Sequence, residues 1–169
     1  MITLRRILVA TDFSHASGIA LSYGRALSRG FDAHLHVVTV ADNFFRIVGV
    51  EGYFTDAGGH QRDAEGIARE LLAAIVGTRH PDRSPTTSTI LSASTPSIAI
   101  AGYAREHDID LIILGSHGHG GLAHRIKGGV AEEVIRLAPC PVLAVKAGEH
   151  EFVTPDAEES ATLRTFHHR

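Results

Sequence analysis

Asp110-Leu-Ile-Ile-Leu-Gly-Ser-His-Gly-His-Gly-Gly-Leu-Ala-His-Arg-Ile-Lys-Gly-Gly-Val-Ala-Glu-Glu-Val-Ile-Arg-Leu-Ala138 is the stretch that decides the fold of this chain. It opens with a short apolar run, the pattern of a strand buried on both faces. A glycine-rich loop of about a dozen residues follows, long enough that a functional role or disorder is the usual reason for it. The run from Val130 to Ala138 then has helical character. Glycine has no Cβ, so backbone N–H groups can turn inward and an anion can approach the main chain closely. Gly128 and Gly129, just ahead of the helix, would aim its unpaired N–H groups and positive dipole end at the same spot. Strand, glycine loop and helix start together describe a phosphate cradle. A mobile connection would carry the same glycines, so spacing alone leaves both readings open.

Two familiar phosphate motifs fail here. No G-x-x-x-x-G-K-[S/T] occurs. Gly118-x-Gly120-x-x-Ala123 matches the dinucleotide fingerprint nominally, but it follows the fourth strand and is separated from the helix by Leu122 to Lys127.

Working outward, apolar runs and helical periodicities alternate. Arg6 to Thr11 reads as the first strand, and Ser14 as the cap of a helix with Ala16, Ile19, Ala20, Tyr23, Ala26 and Leu27 on its apolar face. Gly30 is the expected end of that helix. Ala33 to Val40 is the second strand, followed by a long connection from Ala41 to about Gly59. Ala64, Ile67, Ala68, Leu71, Leu72 and Ile75 mark the next helix, which stops near Gly77. Ser88 to Leu91 is a weaker third strand, and Thr95-Pro96 starts a helix with proline at its favoured first position. Leu111 to Leu114 and Val142 to Val145 are the fourth and fifth strands.

Such alternation implies an α/β fold, a doubly wound five-stranded parallel sheet with helices on both faces. Ligands in these sheets bind beyond the carboxyl ends of the strands, where the winding reverses. If strands one and four are neighbours, the order is 3-2-1-4-5. Asp12 and Gly115 then share one crevice.

The chain has 169 residues, room for one domain with a proper core. The domain is expected over residues 1–146, with 147–169 as a polar C-terminal tail and a candidate for disorder. A net charge of −3 and a pI near 6.4 argue against a nucleic-acid surface. No apolar run is long enough for membrane insertion. A single cysteine allows no internal disulfide and suits a reducing cytoplasm, the expected location. Cys140 itself reads as a small buried apolar residue. Twelve histidines invite a metal reading. His34 and His36 share a strand face and His117, His119 and His124 share the loop, but no zinc-type ligand pattern is completed.

With these residues assembled, the chain resembles the universal stress protein (UspA-like) family over roughly residues 4 to 146. The resemblance rests on Val9-Ala-Thr-Asp-Phe-Ser14, on Gly115-x2-Gly118-x9-Gly128, and on Ala138-Pro-Cys-Pro-Val-Leu-Ala-Val145. The glycine spacing matches the family's nucleotide pattern G-x2-G-x9-G-[S/T]. The resemblance implies a Rossmann-like, adenine nucleotide alpha hydrolase-like fold. By similarity, Ala10, Thr11, Asp12 and Val40 would hold base and ribose. Leu114, Gly115, His117, Gly118, Gly128, Gly129 and Val130 would line the phosphates. ATP, or ADP or AMP, is the implied ligand, with Mg2+ as a candidate companion ion. Homodimerisation through strand five and an unidentified regulatory protein partner are also implied. The expected role is a stress-response regulator without enzymatic turnover. A slow ATPase and an interaction module without nucleotide remain the alternatives. Gly129 departs from the pattern, which has Ser or Thr there, and Arg125 or Lys127 could supply charge instead.

Overall fold

The structure is a computed structural model that describes residues 1–41, 57–76, 84–116, 129–146 and 152–153, with the side chains of 57–64 excepted. Five strands, β1 (Arg6–Ala10), β2 (His34–Val40), β3 (Thr86–Leu91), β4 (Leu111–Gly115) and β5 (Val142–Val145), form one sheet. They alternate with four helices, α1 (His15–Phe31), α2 (Ala57–Val76), α3 (Pro96–Glu106) and α4 (Val130–Leu137). All strand pairs are parallel and the order is β3-β2-β1-β4-β5, as the alternation predicts. The winding reverses between β1 and β4, where Ala10 pairs with Leu114.

Each central strand feeds both faces of the sheet through its period of two. Ile7, Val9, Leu35, Val37 and Ile113 point toward α1 and α2, meeting Ile19, Tyr23, Leu72 and Ile75. Leu8, Val38, Val40, Ile112 and Leu114 point the other way, meeting Ile100, Tyr103, Ala104 and Val134. Two cores flank one sheet, and β1 and β4 contribute to both.

Helix ends follow local chemistry. Ser14 caps α1 by accepting the Ser17 N–H at 3.2 Å, as its position suggests. The other end differs from expectation. Gly30 lies inside the helix, and Asp32 ends it in the left-handed region at φ 52°. Aspartate is among the few non-glycine residues that tolerate this conformation. The Asp32 N–H returns to Arg29 O and Ser28 O, and the Ser28 hydroxyl donates to Ala33 O at 2.6 Å. Satisfied backbone groups decide the stop, rather than glycine's freedom. At the end of α2, the Arg25 guanidinium donates to the Ile75 carbonyl. β3 begins at Thr86, two residues before the apolar run, because register with Leu35 extends the ladder through polar threonines.

Beyond β5, the Phe152 ring meets Tyr23 edge-on with centroids 4.7 Å apart, and Val153 packs against the α1-side core.

Candidate functional site

Parallel pairing carries the ends of β1, β2 and β4 to one edge of the sheet. Thr11 N–H donates to Val38 O at 2.8 Å, extending the β1–β2 ladder one residue past the strand. Ser116 N–H donates to Val145 O at 2.7 Å on the other side. Asp12 therefore sits just past β1, at the reversal, with Gly115 ending the neighbouring strand.

The β1–α1 turn is built by side chains that accept backbone protons. Asp12 Oδ1 accepts the Ser14 N–H at 3.0 Å. Thr11 Oγ1 accepts the Phe13 N–H at 3.0 Å. The Ser17 hydroxyl gives its one proton to Ser14 O at 2.9 Å, so in the 3.0 Å pair with Thr11 it must accept. The turn forces Phe13 to φ 62°, unfavourable for a bulky residue, and burial of its ring in the α1-side core offsets that cost. Ser17 was not among the residues singled out from sequence. A hydroxyl three positions after the capping Ser14 is the signal that could have found it.

Gly115 has a packing reason of its own. A Cβ there would lie 3.0 Å from the Ala16 carbonyl carbon and 3.1 Å from Ser17 N. The end of β4 therefore presses directly on the backbone that starts α1.

On the opposite side, Gly129 is the N-cap residue of α4, at φ −68° and ψ 167°. The first helical bond runs from Glu133 N–H to Gly129 O, so the N–H groups of Val130, Ala131 and Glu132 lie outside the helical ladder. The Ser97 hydroxyl donates to Glu133 Oε2 at 2.7 Å, tying the start of α3 to the first turn of α4. Gly129 and Val130 are exposed, whereas Val40 and Leu114 are buried at their strand ends.

The structure thus brings Ala10, Thr11, Asp12, Val40, Leu114 and Gly115 to the carboxyl end of the sheet, with Gly129 and Val130 at a helix start. His117, Gly118 and Gly128 lie outside the described residues, as do His119, His124, Arg125 and Lys127.

Among the described residues, no group of three or more His, Cys, Asp or Glu side chains is placed to hold a metal ion. His34 and His36 do share a face of β2, with ring centroids 4.4 Å apart, at the end of the sheet away from the crevice. Cys140 is half-buried against the α3–α4 core, and burial with the nearby Asp110 charge pushes its thiol pKa up. That environment makes it a poor nucleophile. None of the helices, searched over their described residues, is long and apolar enough to cross a membrane.

Comparison with known proteins meets this geometry. The universal stress protein family model matches residues 3–146. A provisionally named universal stress protein of Staphylococcus aureus (strain USA300) is 31% identical over 152 residues, covering 88% of each chain. A universal stress protein in complex with cAMP shares the fold at a TM-score of 0.57 and 22% identity, covering 87% of this chain and all of its own. The universal stress protein from Archaeoglobus fulgidus in complex with dAMP does so at 0.57 and 21%, covering 86% and 100%. The sheet order and the family match lead to one conclusion: this chain belongs to the universal stress protein family.

Proposed function

We propose that the chain binds an adenine nucleotide at the carboxyl end of its sheet and serves as a regulatory, non-enzymatic stress-response protein. The observation that carries this reading is the β1–β4 pairing, whose last pair, Ala10 with Leu114, brings Asp12 and Gly115 to the same end of the sheet at the winding reversal. There a carboxylate can accept ribose hydroxyl protons, and the outward N–H groups at the start of α4 can neutralise phosphate. Structural relatives in complex with cAMP and dAMP support an adenine nucleotide as the ligand. Where ATP is the ligand, Mg2+ would take phosphate oxygens, with Asp12 as the carboxylate nearest in type to its preferred ligands. Mass analysis of small molecules released on denaturing the purified protein tests the reading, followed by calorimetric titration with AMP, ADP and ATP. No released nucleotide and no heat with any of the three would leave the interaction-module alternative in its place.

Gly129 tunes the ligand. Its Cβ position is open, with nothing within 4 Å, and its φ suits any residue. Serine would therefore enter without strain and could donate to an outer phosphate. A hydrogen bond to a charged group contributes about 1.5–3 kcal/mol, so Gly129→Ser is expected to tighten ATP by about tenfold or more. AMP should change little. Capping the α4 N–H groups instead would add only a few tenths of a kcal/mol of stability over glycine. Equal small changes for ATP, ADP and AMP would show that residue 129 does not face the outer phosphates.

Homodimerisation belongs to the same proposal. Among the described residues, β5 is an edge strand with no strand on its outer side, and Val142, Leu143 and Ala144 are at least partly exposed there. Light scattering at high micromolar concentration should report a dimer. A monomer would remove strand pairing from the model of action.

A further inference from the structure

His34, His36, Tyr103 and His107 form a cluster at the amino end of the strands, opposite the crevice. His36 is 6% exposed, and its Nδ1 lies 3.0 Å from the Tyr103 hydroxyl. The other ring nitrogen, Nε2, is buried and has no hydrogen-bond partner among the described residues. The His34 ring lies 4.4 Å from that of His36, and the His107 ring 5.8 Å away. His107 in turn stacks on Tyr103 at 3.8 Å.

A neutral imidazole leaves only one atom unsatisfied in this site, and the Tyr103 hydroxyl can donate or accept to suit either tautomer. The imidazolium is different. Both nitrogens become donors, and Nε2–H would carry charge with no acceptor among the described residues. We propose that the cluster is an acid-sensitive latch, in which protonation of His36 releases the carboxyl-terminal half of α3 from the sheet.

The groups facing His36 reinforce this. β1 contributes Arg6, β2 contributes His34, β3 contributes the hydroxyls of Thr87 and Thr89, and α3 contributes Tyr103 and its capping residue His107. Asp108 and Asp110, which follow His107 in the chain, are engaged elsewhere. Asp108 meets the Arg6 guanidinium at 3.3 Å, and Asp110 accepts the N–H groups of Arg5 and Arg6. Burial first, then His34, His107 and Arg6, hold the His36 pKa down to about 4. Its folded value is therefore below the ordinary imidazole value of about 6.5. Above that value neither state is protonated and the latch is at full strength. As pH falls from there toward 4, the open state takes a proton that the closed state refuses, and closure weakens progressively.

α3 carries the latch toward the crevice. Its first turn carries Ser97, whose bond to Glu133 holds the start of α4. Loosening α3 would disturb the Gly129 end of the crevice and weaken ligand binding in acid. This consequence rests on the nucleotide reading, whereas the latch does not.

Amide exchange measured from pH 7 to 5, corrected for intrinsic rates, tests the latch directly. The opening constant of the second half of α3 should rise about twentyfold in the native protein. In His36→Gln, which cannot take the charge, the rise should fall below about threefold. Equal rises in both proteins would overturn the proposal. Should the variant not fold, ring titration by NMR on the native protein decides it. A His36 midpoint near 4 supports the latch, and one near the ordinary imidazole value of about 6.5 overturns it. A native α3 that opens in acid while AMP affinity stays constant would keep the latch and remove only its coupling to the crevice.

Discussion

Asp12→Ala is expected, on the proposed nucleotide reading, to weaken AMP and ATP binding by about a hundredfold or more. Each hydrogen bond from a ribose hydroxyl to the carboxylate contributes about 1.5–3 kcal/mol, and a ribose with two free hydroxyls can make two of them. The substitution also removes the Asp12 Oδ1 bond to Ser14 N–H, which shapes the β1–α1 turn, at a cost of about 1 kcal/mol of stability. Asp12→Asn separates the two roles. Its amide oxygen can still accept from Ser14, so the fold should keep its thermal midpoint while the charge-assisted ribose contacts are lost. The ligand series adds a second discrimination. dAMP lacks the 2′-hydroxyl, and in cAMP the 3′-oxygen is esterified, so each can offer the carboxylate only one hydroxyl. The native protein should prefer AMP to both, and the preference should collapse in Asp12→Ala. Calorimetry on the three proteins with AMP, dAMP and cAMP measures this. Native-like AMP affinity in Asp12→Ala would confine Asp12 to the turn.

Gly24→Leu should leave the chain largely unfolded, the largest stability effect expected of any single exchange in α1. A Cβ at Gly24 would lie 2.3 Å from Val9 Cγ2 and 3.3 Å from Leu35 Cδ1, both in the α1-side core. Val9 is fully buried on the central strand β1, so it has nowhere to turn. Overpacking of even one methyl typically costs about 1–3 kcal/mol, and a leucine asks for several times that displacement. The loss would be a large part of a typical domain's whole stability of about 5–15 kcal/mol. Gly24→Ala would be milder, because alanine recovers about 1 kcal/mol of helix propensity while overpacking the same site. Gly30, six residues on in the same helix, is the control. A Cβ there meets nothing within 4 Å, so Gly30→Ala should raise stability by about 0.5–1 kcal/mol. Thermal unfolding of the variants reads all three effects. A stable Gly24→Leu protein would mean that α1 can lift from the sheet at little cost.

Local pattern along the chain makes part of the fold legible. The runs Arg6 to Thr11, Ala33 to Val40 and Leu111 to Leu114 each hold a strand, within one residue at either end, because a doubly covered parallel strand must be apolar on both faces. Ser14 announced the start of α1, and Pro96 that of α3, because both satisfy or remove N–H groups that a helix start leaves orphaned. Asp12 and Gly115 could be paired from the rule that parallel sheets bind at the reversal of winding. Gly30 misled because a glycine near the end of a periodic segment looks like a stop.

Chain order alone carries the alternation of strands and helices, the family through its glycine and Ala-Pro-Cys-Pro spacings, and the position of Asp12 at a strand end. These are local properties, written in periodicity and in residues next to one another in the chain. The rest emerges from packing between distant segments. The tertiary structure showed that Asp32 rather than Gly30 closes α1, because the Asp32 N–H finds carbonyl acceptors there. It gave Gly24 and Gly115 steric reasons to be glycine, which depend on Val9 and Ala16 lying against them. It placed His36 beneath Tyr103, 67 residues away in the chain, with one nitrogen stranded. Contacts of this kind join residues far apart in sequence, and no periodicity along the chain encodes which side chains a folded sheet will press together.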